Sequence, residues 1–175
     1  ALAALRAGIS LDDEEALAQL AGQLDVRFDN GEIWLAGEKV GDDVRSETSG
    51  NAASRIAALP RLRQALLEFQ RSFRTAPGLV ADGRDMGSVV FPDATLKIFL
   101  TASAEVRAER RYKQLMEKGM HANLSQILQD LQQRDARDSA RSVAPLQKCA
   151  DASLLDTDPL TIAAAVNEVL RRYQA

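Results

Sequence analysis

The 175-residue sequence contains very few of the side chains that build covalent cross-links and zinc sites. It has one cysteine, one histidine and one tryptophan, and aromatic residues make up only 5% of the chain. The single cysteine, Cys149, cannot form an intrachain disulfide, and without a Cys/His cluster a structural zinc site is not expected. The sequence also lacks the aromatic stacking platform that single-stranded RNA-binding domains use.

Long apolar runs and an excess of basic residues are absent as well. No segment approaches the length needed to span a bilayer, and the opening ALAALRAG has neither the cationic start nor the cleavage pattern of a secretory signal. The formal net charge of -3 disfavours binding to a long nucleic acid, which usually needs a basic face. We therefore expect a cytoplasmic protein with no membrane and no nucleic acid polymer among its partners. We also expect a monomer.

Arginine, in contrast, is concentrated in a few stretches of the chain. They run from Arg55 to Arg74, lie around Arg84, and run from Arg107 to Arg141. An acidic protein with such local positive charge can contain a cationic cleft that binds a small anion. The alternative is that most of these arginines lie on solvated helix surfaces, as charged residues usually do.

Apolar periodicity and turn signals predict an α/β fold. A helical period runs through DDEEALAQLAGQL, and Asn30-Gly31 predicts the turn of a small antiparallel meander. Short apolar runs predict strands at 79–81, 96–100 and 153–155. Further helices are predicted at 46–70 with a break near Pro60, and at 103–118, 124–141 and 159–173. Strands alternating with helices indicate a mostly parallel sheet, into which the meander is inserted as a second lobe.

The loop GRDMG follows the first of these predicted strands. Ligands of open parallel sheets bind beyond the carboxyl ends of the strands. Gly83 and Gly87 allow a tight turn or close backbone approach, Arg84 can bind an anion, and Asp85 can accept a hydrogen bond from an amine or hydroxyl. The alternative is a simple turn in which aspartate caps backbone amides and arginine pairs with aspartate.

A second group of charged residues lies in QQRDARDSAR. On a helix Arg134, Asp138 and Arg141 stand at i, i+4 and i+7 and share one face. Arg before Asp at this spacing is the weaker order for helix stability. Arg134, Arg141 and the neighbouring Arg137, together with one carboxylate, suit a phosphorylated sugar better. A solvated helix with local ion pairs is the alternative. Ser54 and Arg63 flank the helix break near Pro60 and can project into the same cleft.

Several segments in order resemble the bacterial cytidylate kinase (CMP/dCMP kinase) family: DVRSETSGNAAS, PRLRQALLEFQR, GLVADGRDMGSVVFPDATLKIFLTAS and QQRDARDSARSVAPL. The resemblance covers nearly the whole chain. It implies a nucleoside monophosphate kinase (P-loop NTPase-like) core with a parallel sheet, an inserted NMP-binding lobe with a small antiparallel sheet, and a helical lid. It places the core at 1–23, 61–107 and 146–175, the insert at 24–60 and the lid at 108–145.

The resemblance also implies roles for single residues. Ser54, Arg63 and Asp85 would face the cytosine, Arg84 and Arg141 the acceptor phosphate, and Arg134 and Asp138 the ribose. Among these, Arg84, Arg134 and Arg141 are the predicted catalytic residues. The predicted contacts of the donor ATP, with Mg, are Arg107, Arg110 and Arg111. No resident metal site is expected, although Asp82 could lie near the nucleotide's magnesium.

One departure from the family pattern concerns the phosphate loop. The 175 residues contain no G-x-x-x-x-G-K-[ST] motif, which in the family precedes the point where this sequence begins. We expect the sequence to be part of a longer kinase, and a chain starting at Ala1 to have negligible kinase activity. The leading hypothesis is ATP-dependent phosphorylation of CMP and dCMP. The alternatives are a non-catalytic pyrimidine-nucleotide binding protein and a small RNA-binding domain using the arginine helix.

Overall fold

A computed structural model of the chain describes residues 1–140 and 146–174. The described residues form two compact units, the first spanning Ala1–Asp82 and the second Gly83–Ala140 together with 146–174. Each unit has its own small sheet and its own helices. No helix within these residues is long and apolar enough to cross a membrane.

The first unit packs five helices beside a small antiparallel sheet. The helices are α1 (Leu2–Arg6), α2 (Glu14–Gly22), α3 (Gly41–Val44), α4 (Glu47–Ile56) and α5 (Pro60–Ser72). Asp13 caps α2 by accepting a hydrogen bond from the Ala16 backbone N–H at 3.0 Å, and Pro60 occupies the first turn of α5, where its missing N–H costs nothing. The buried core of the unit comprises Ala4, Leu17, Ala21, Ile56 and Leu62.

The antiparallel sheet has the strand order β1 (Val26–Asp29), β2 (Glu32–Leu35) and β3 (Glu38–Lys39). The predicted hairpin is confirmed: Asp29 pairs with Glu32, and Asn30 and Gly31 make the turn with φ of 50° and 78°. Both residues of a tight two-residue hairpin turn need positive φ, which Asn and Gly adopt with little strain.

The second unit contains a parallel pair of strands and three long helices. The elements are a π-helix (Met86–Val90), β4 (Ile98–Thr101), α6 (Ala104–Glu117), α7 (Leu124–Ala140), β5 (Ser153–Asp156) and α8 (Ile162–Gln174). In the parallel ladder Ile98 pairs with Ser153 and Thr101 with Asp156. Ser103 caps α6 through its hydroxyl, and α6 packs against α7. The predicted mixed α/β class is confirmed, with one parallel pair of strands and one small antiparallel sheet among the described residues.

The predicted strand at 79–81 is wrong. The segment has no ladder partner in the described parts of the chain, and the Val80 side chain is fully exposed. An apolar run becomes a strand only where a neighbouring strand bonds its backbone N–H and C=O groups. Hydrophobicity alone does not supply that neighbour.

Candidate functional site

The GRDMG loop of the second unit leads directly into the π-helix. The Asp85 backbone carbonyl accepts hydrogen bonds from the Val89 and Val90 N–H groups at 2.9 and 3.2 Å. Asp85 is buried, with 9% of its surface exposed. Wide helical turns of this kind are common at functional sites, because the extra residue changes the direction in which side chains project. The loop therefore has a fixed backbone and presents Arg84 and Asp85 from defined positions.

Arg84 forms an ion pair with Asp138 of α7. The Arg84 Nε donates to the Asp138 Oδ2 at 2.8 Å across 54 positions of sequence. The Asp138 side chain is 4% exposed and the Arg84 side chain 45% exposed. A buried carboxylate needs such a partner, and a charge-assisted bond is stronger than a neutral one. The structure thus joins two sequence-predicted site residues, one of which is half open to solvent.

Arg134 lies one helical turn before Asp138 on α7 and is half-buried. The i, i+4 spacing places the two side chains on the same side of the helix, as predicted. Arg141, the third member of the predicted stripe, lies outside the described residues. Asp138 also anchors the chain beyond it, because its backbone carbonyl accepts from the Leu146 N–H at 3.1 Å.

Arg107 and Arg110, predicted to contact the donor nucleotide, lie on α6 and bind protein groups beyond the carboxyl ends of β4 and β5. Arg107 donates from Nε to the Ala102 carbonyl at 3.1 Å, and from both Nη atoms to the two carboxylate oxygens of Asp135 at 3.1 and 2.5 Å. Arg110 donates to the hydroxyl and the carbonyl of Thr157. Arg111 follows on the same helix and is half-buried.

Thr157 links the ends of the two parallel strands. It is buried, its backbone N–H and its hydroxyl both donate to the Thr101 carbonyl at 2.9 Å, and the hydroxyl accepts from Arg110. Neither Thr157 nor Asp135 was singled out from the sequence. For Thr157 the only local signal is its place after a strand. Asp135 stands three residues before Asp138 on α7, and its partner Arg107 is 28 positions away.

Ser54 and Arg63 lie in the first unit. Ser54 is in the last turn of α4, and Arg63 is in the first turn of α5, where its Nη1 donates to the Ala57 carbonyl at 3.2 Å. This bond places the Arg63 guanidinium over the carboxyl end of α4, where the helix dipole favours a positive charge. The helix break near Pro60 thus brings Arg63 back to the helix that carries Ser54.

Within residues 1–140 and 146–174, no group of three or more His, Cys, Asp or Glu side chains is placed to hold a metal ion. The Asp82 side chain is exposed at the end of the first unit.

Comparison with known proteins adds to this geometry. The family profile described as cytidylate kinase matches residues 1–175. The chain belongs to the cytidylate kinase family. Similar curated proteins include the cytidylate kinase of Chromobacterium violaceum, 60% identical over 99% of this chain and 78% of that protein, and that of Bordetella bronchiseptica, 59% identical over 100% and 78%. The cytidylate kinase of Cupriavidus necator is 55% identical over 100% of the chain and 79% of that protein.

Membership of the cytidylate kinase family confirms the predicted resemblance and the nucleoside monophosphate kinase class. The division into core, insert and lid, the roles of single side chains, and the cytoplasmic location remain predictions.

Proposed function

We propose that this cytidylate kinase family member transfers the γ-phosphoryl group of ATP to CMP and dCMP. The observation that carries the proposal is the Arg84–Asp138 ion pair, which brings together two motifs predicted to hold one nucleotide. Phosphoryl transfer depends mostly on positioning the reactants and on stabilising the charge of the transferring group. Fixed, partly exposed arginines supply both.

Recognition of the base is assigned to Asp85, with Arg63 and Ser54. Cytosine presents an amino donor at N4 and acceptors at N3 and O2, so a carboxylate can accept from N4 while an arginine donates to the ring. Uracil would place its O4 acceptor against the Asp85 carboxylate. A mispaired buried polar group costs about 1–3 kcal/mol, which is enough to favour cytosine strongly.

The acceptor phosphate and ribose are assigned to arginines and one carboxylate. Arg84 and Arg141 would bind the phosphate, and Arg134 and Asp138 the ribose hydroxyls. Guanidinium groups suit phosphate because their planar set of N–H donors can bind two phosphate oxygens at the same time. No general base is required, since the attacking oxygen of the acceptor phosphate is already ionised. His121, the single histidine, therefore has no assigned role.

The donor is ATP, and its magnesium would supply charge neutralisation between the phosphate groups. Magnesium is usually held by one or two carboxylates together with substrate phosphates. Asp82 is the candidate carboxylate, because it is exposed beside the GRDMG loop. Arg110 and Arg111 are the proposed donor-side arginines, within a lid at 108–145 of a monomeric, cytoplasmic enzyme. Arg107, predicted to share that role, lies at the end of the proposed core segment 61–107, and its guanidinium is bound to Ala102 and Asp135.

The test is turnover by the product of the complete gene. ADP formation would be measured with ATP and each of CMP, dCMP and UMP. We expect turnover of CMP and dCMP, with kcat/KM for UMP lower by at least about tenfold. Tight CMP binding without ADP formation would instead indicate a non-catalytic nucleotide-binding protein and would contradict the proposal.

A further inference from the structure

The contact between Asp135 and Arg107 is a further feature of the second unit that the proposed roles do not use. Both carboxylate oxygens of Asp135 accept from Arg107, one from each Nη atom. The Arg107 Nε is bound to the Ala102 carbonyl. Every nitrogen of this guanidinium thus has a protein acceptor. A bidentate arginine–carboxylate pair fixes the relative orientation of the two side chains as well as their distance. A single hydrogen bond does not fix the orientation.

The surroundings of the pair differ from those of a surface ion pair. The Arg107 and Asp135 side chains are 30% and 33% exposed, so about two thirds of each is shielded from solvent. Exposed ion pairs contribute little to stability because water and salt screen the two charges. Partial burial reduces that screening. Ala102 directly follows β4, at the end of the parallel strands where ligands of such sheets bind.

The position of Asp135 on α7 gives the contact a consequence for the site. Asp138, one turn further along the helix, is the partner of Arg84, and Arg134 is the residue immediately before Asp135. The helix is therefore held at two neighbouring points, to α6 and the end of β4 by Asp135, and to the GRDMG loop by Asp138. Two such contacts oppose rotation of α7 about its axis and sliding along it.

We propose that Asp135 is a positioning residue that acts through Arg107 to set the register of α7, and with it the placement of Arg134 and Asp138 toward the acceptor nucleotide. This inference rests on the proposed function. It assigns Arg107 to the same positioning pair rather than to direct contact with ATP. Loss of the pair therefore weakens the use of CMP and leaves the binding of ATP unchanged.

The experiment is a double-mutant cycle in the complete gene product. Asp135→Asn, Arg107→Gln and the double variant are each expected to raise the KM for CMP about tenfold, less than the hundredfold that a 1 Å misplacement can cost. The KM for ATP is expected to stay within about twofold of wild type. Because the two residues act as a unit, the double variant should be no worse than either single variant. Asp130→Asn, the same change on the same helix, is the control and should behave as wild type.

The outcomes separate this inference from the proposed function. Wild-type kinetics in Asp135→Asn, or a raised KM for ATP in Arg107→Gln alone, would overturn the positioning role while leaving the kinase intact. A wild-type protein that neither binds nor phosphorylates CMP would overturn both. If Asp135→Asn does not fold, as judged by circular dichroism, Arg107→Lys replaces it. Lysine keeps the positive charge but cannot bind both carboxylate oxygens of Asp135 in the same way. The variant should raise the KM for CMP and leave the KM for ATP unchanged. An unchanged KM for CMP would overturn the inference.

Discussion

At the scale of single residues, Gly87 shows how closely the π-helix packs on its surroundings. A Cβ added at Gly87 would lie 3.2 Å from Cδ and 3.3 Å from Cγ of Lys97. The Lys97 stem cannot retreat freely, because its Nζ donates to the Pro92 carbonyl and to Asp151 Oδ2, each at 2.6 Å. The hydrogen bond from Lys97 also lowers the pKa of the Asp151 carboxyl. Glycine is therefore the residue that fits beside this anchored lysine.

Substitution of Gly87 by alanine tests that packing. Gly87→Ala is expected to lower the free energy of unfolding by about 1–2 kcal/mol, the usual cost of forcing an extra methyl group into a filled site. Urea denaturation followed by circular dichroism would measure it. The control is Gly22→Ala in α2, where a new Cβ meets no atom within 4 Å. That change should raise the free energy of unfolding by about 0.5–1 kcal/mol through improved helix propensity. A loss of stability at both positions, or at neither, would contradict the packing argument.

Among the elements, α8 is attached to β5 by a clamp of charged side chains. Glu168 accepts from Arg171 and Arg172, and Arg172 donates in turn to the Ser153 hydroxyl and the Leu154 carbonyl. The hydrogen bonds from Arg171 and then Arg172 lower the pKa of Glu168 to about 2. The carboxylate thus holds Arg172 against the backbone of β5.

The lowered pKa of Glu168 predicts how stability changes with pH. A group whose pKa is lower in the folded state stabilises that state above its unfolded value, and the contribution disappears as the pH falls toward the folded value. Wild type should therefore melt at a higher temperature than Glu168→Gln near about pH 6, and the difference should shrink between about pH 4.5 and about pH 2. Glu117→Gln, the same change on α6, controls for the loss of one carboxylate. A constant difference between wild type and Glu168→Gln across this pH range would show that the clamp does not depend on the charge of Glu168.

The elements that could be predicted from the sequence are those with local signals. The hairpin followed from Asn30-Gly31 and the helix break from Pro60, since each of these residues has a conformational preference of its own. The absence of a strand at 79–81 and the π-helix at Met86–Val90 could not be predicted. Both depend on whether neighbouring segments hydrogen-bond to the backbone and pack against it.

The candidate site was predictable to a similar degree. Spacing on a helix placed Arg134 and Asp138 on one side, and the loop composition singled out Arg84. The pairing of Arg84 with Asp138, and of Arg107 with Asp135, joins residues 54 and 28 positions apart. Helical periodicity reveals which side chains share a face of a helix, but not which residue of another element contacts that face.

At the scale of the whole molecule, the charge distribution fits an enzyme for small anionic substrates. The chain has a net charge of -3, with 22 basic and 25 acidic side chains. In the second unit, arginines on α6 and before the π-helix are held by carboxylates of α7. Such pairing would hold the Arg84 guanidinium in place for the proposed acceptor phosphate, and the net negative charge disfavours binding to long nucleic acids.

In the proposed function, the Asp85 carboxylate distinguishes cytosine from uracil. The most direct measurement is the ratio of kcat/KM for CMP to that for UMP, in wild type and in Asp85→Ala of the complete gene product, with Asp130→Ala as the control. We predict that Asp85→Ala lowers this ratio at least about tenfold, through loss of CMP use, and leaves the KM for ATP within about twofold. An unchanged ratio, or an equal loss for CMP and for ATP, would contradict the account.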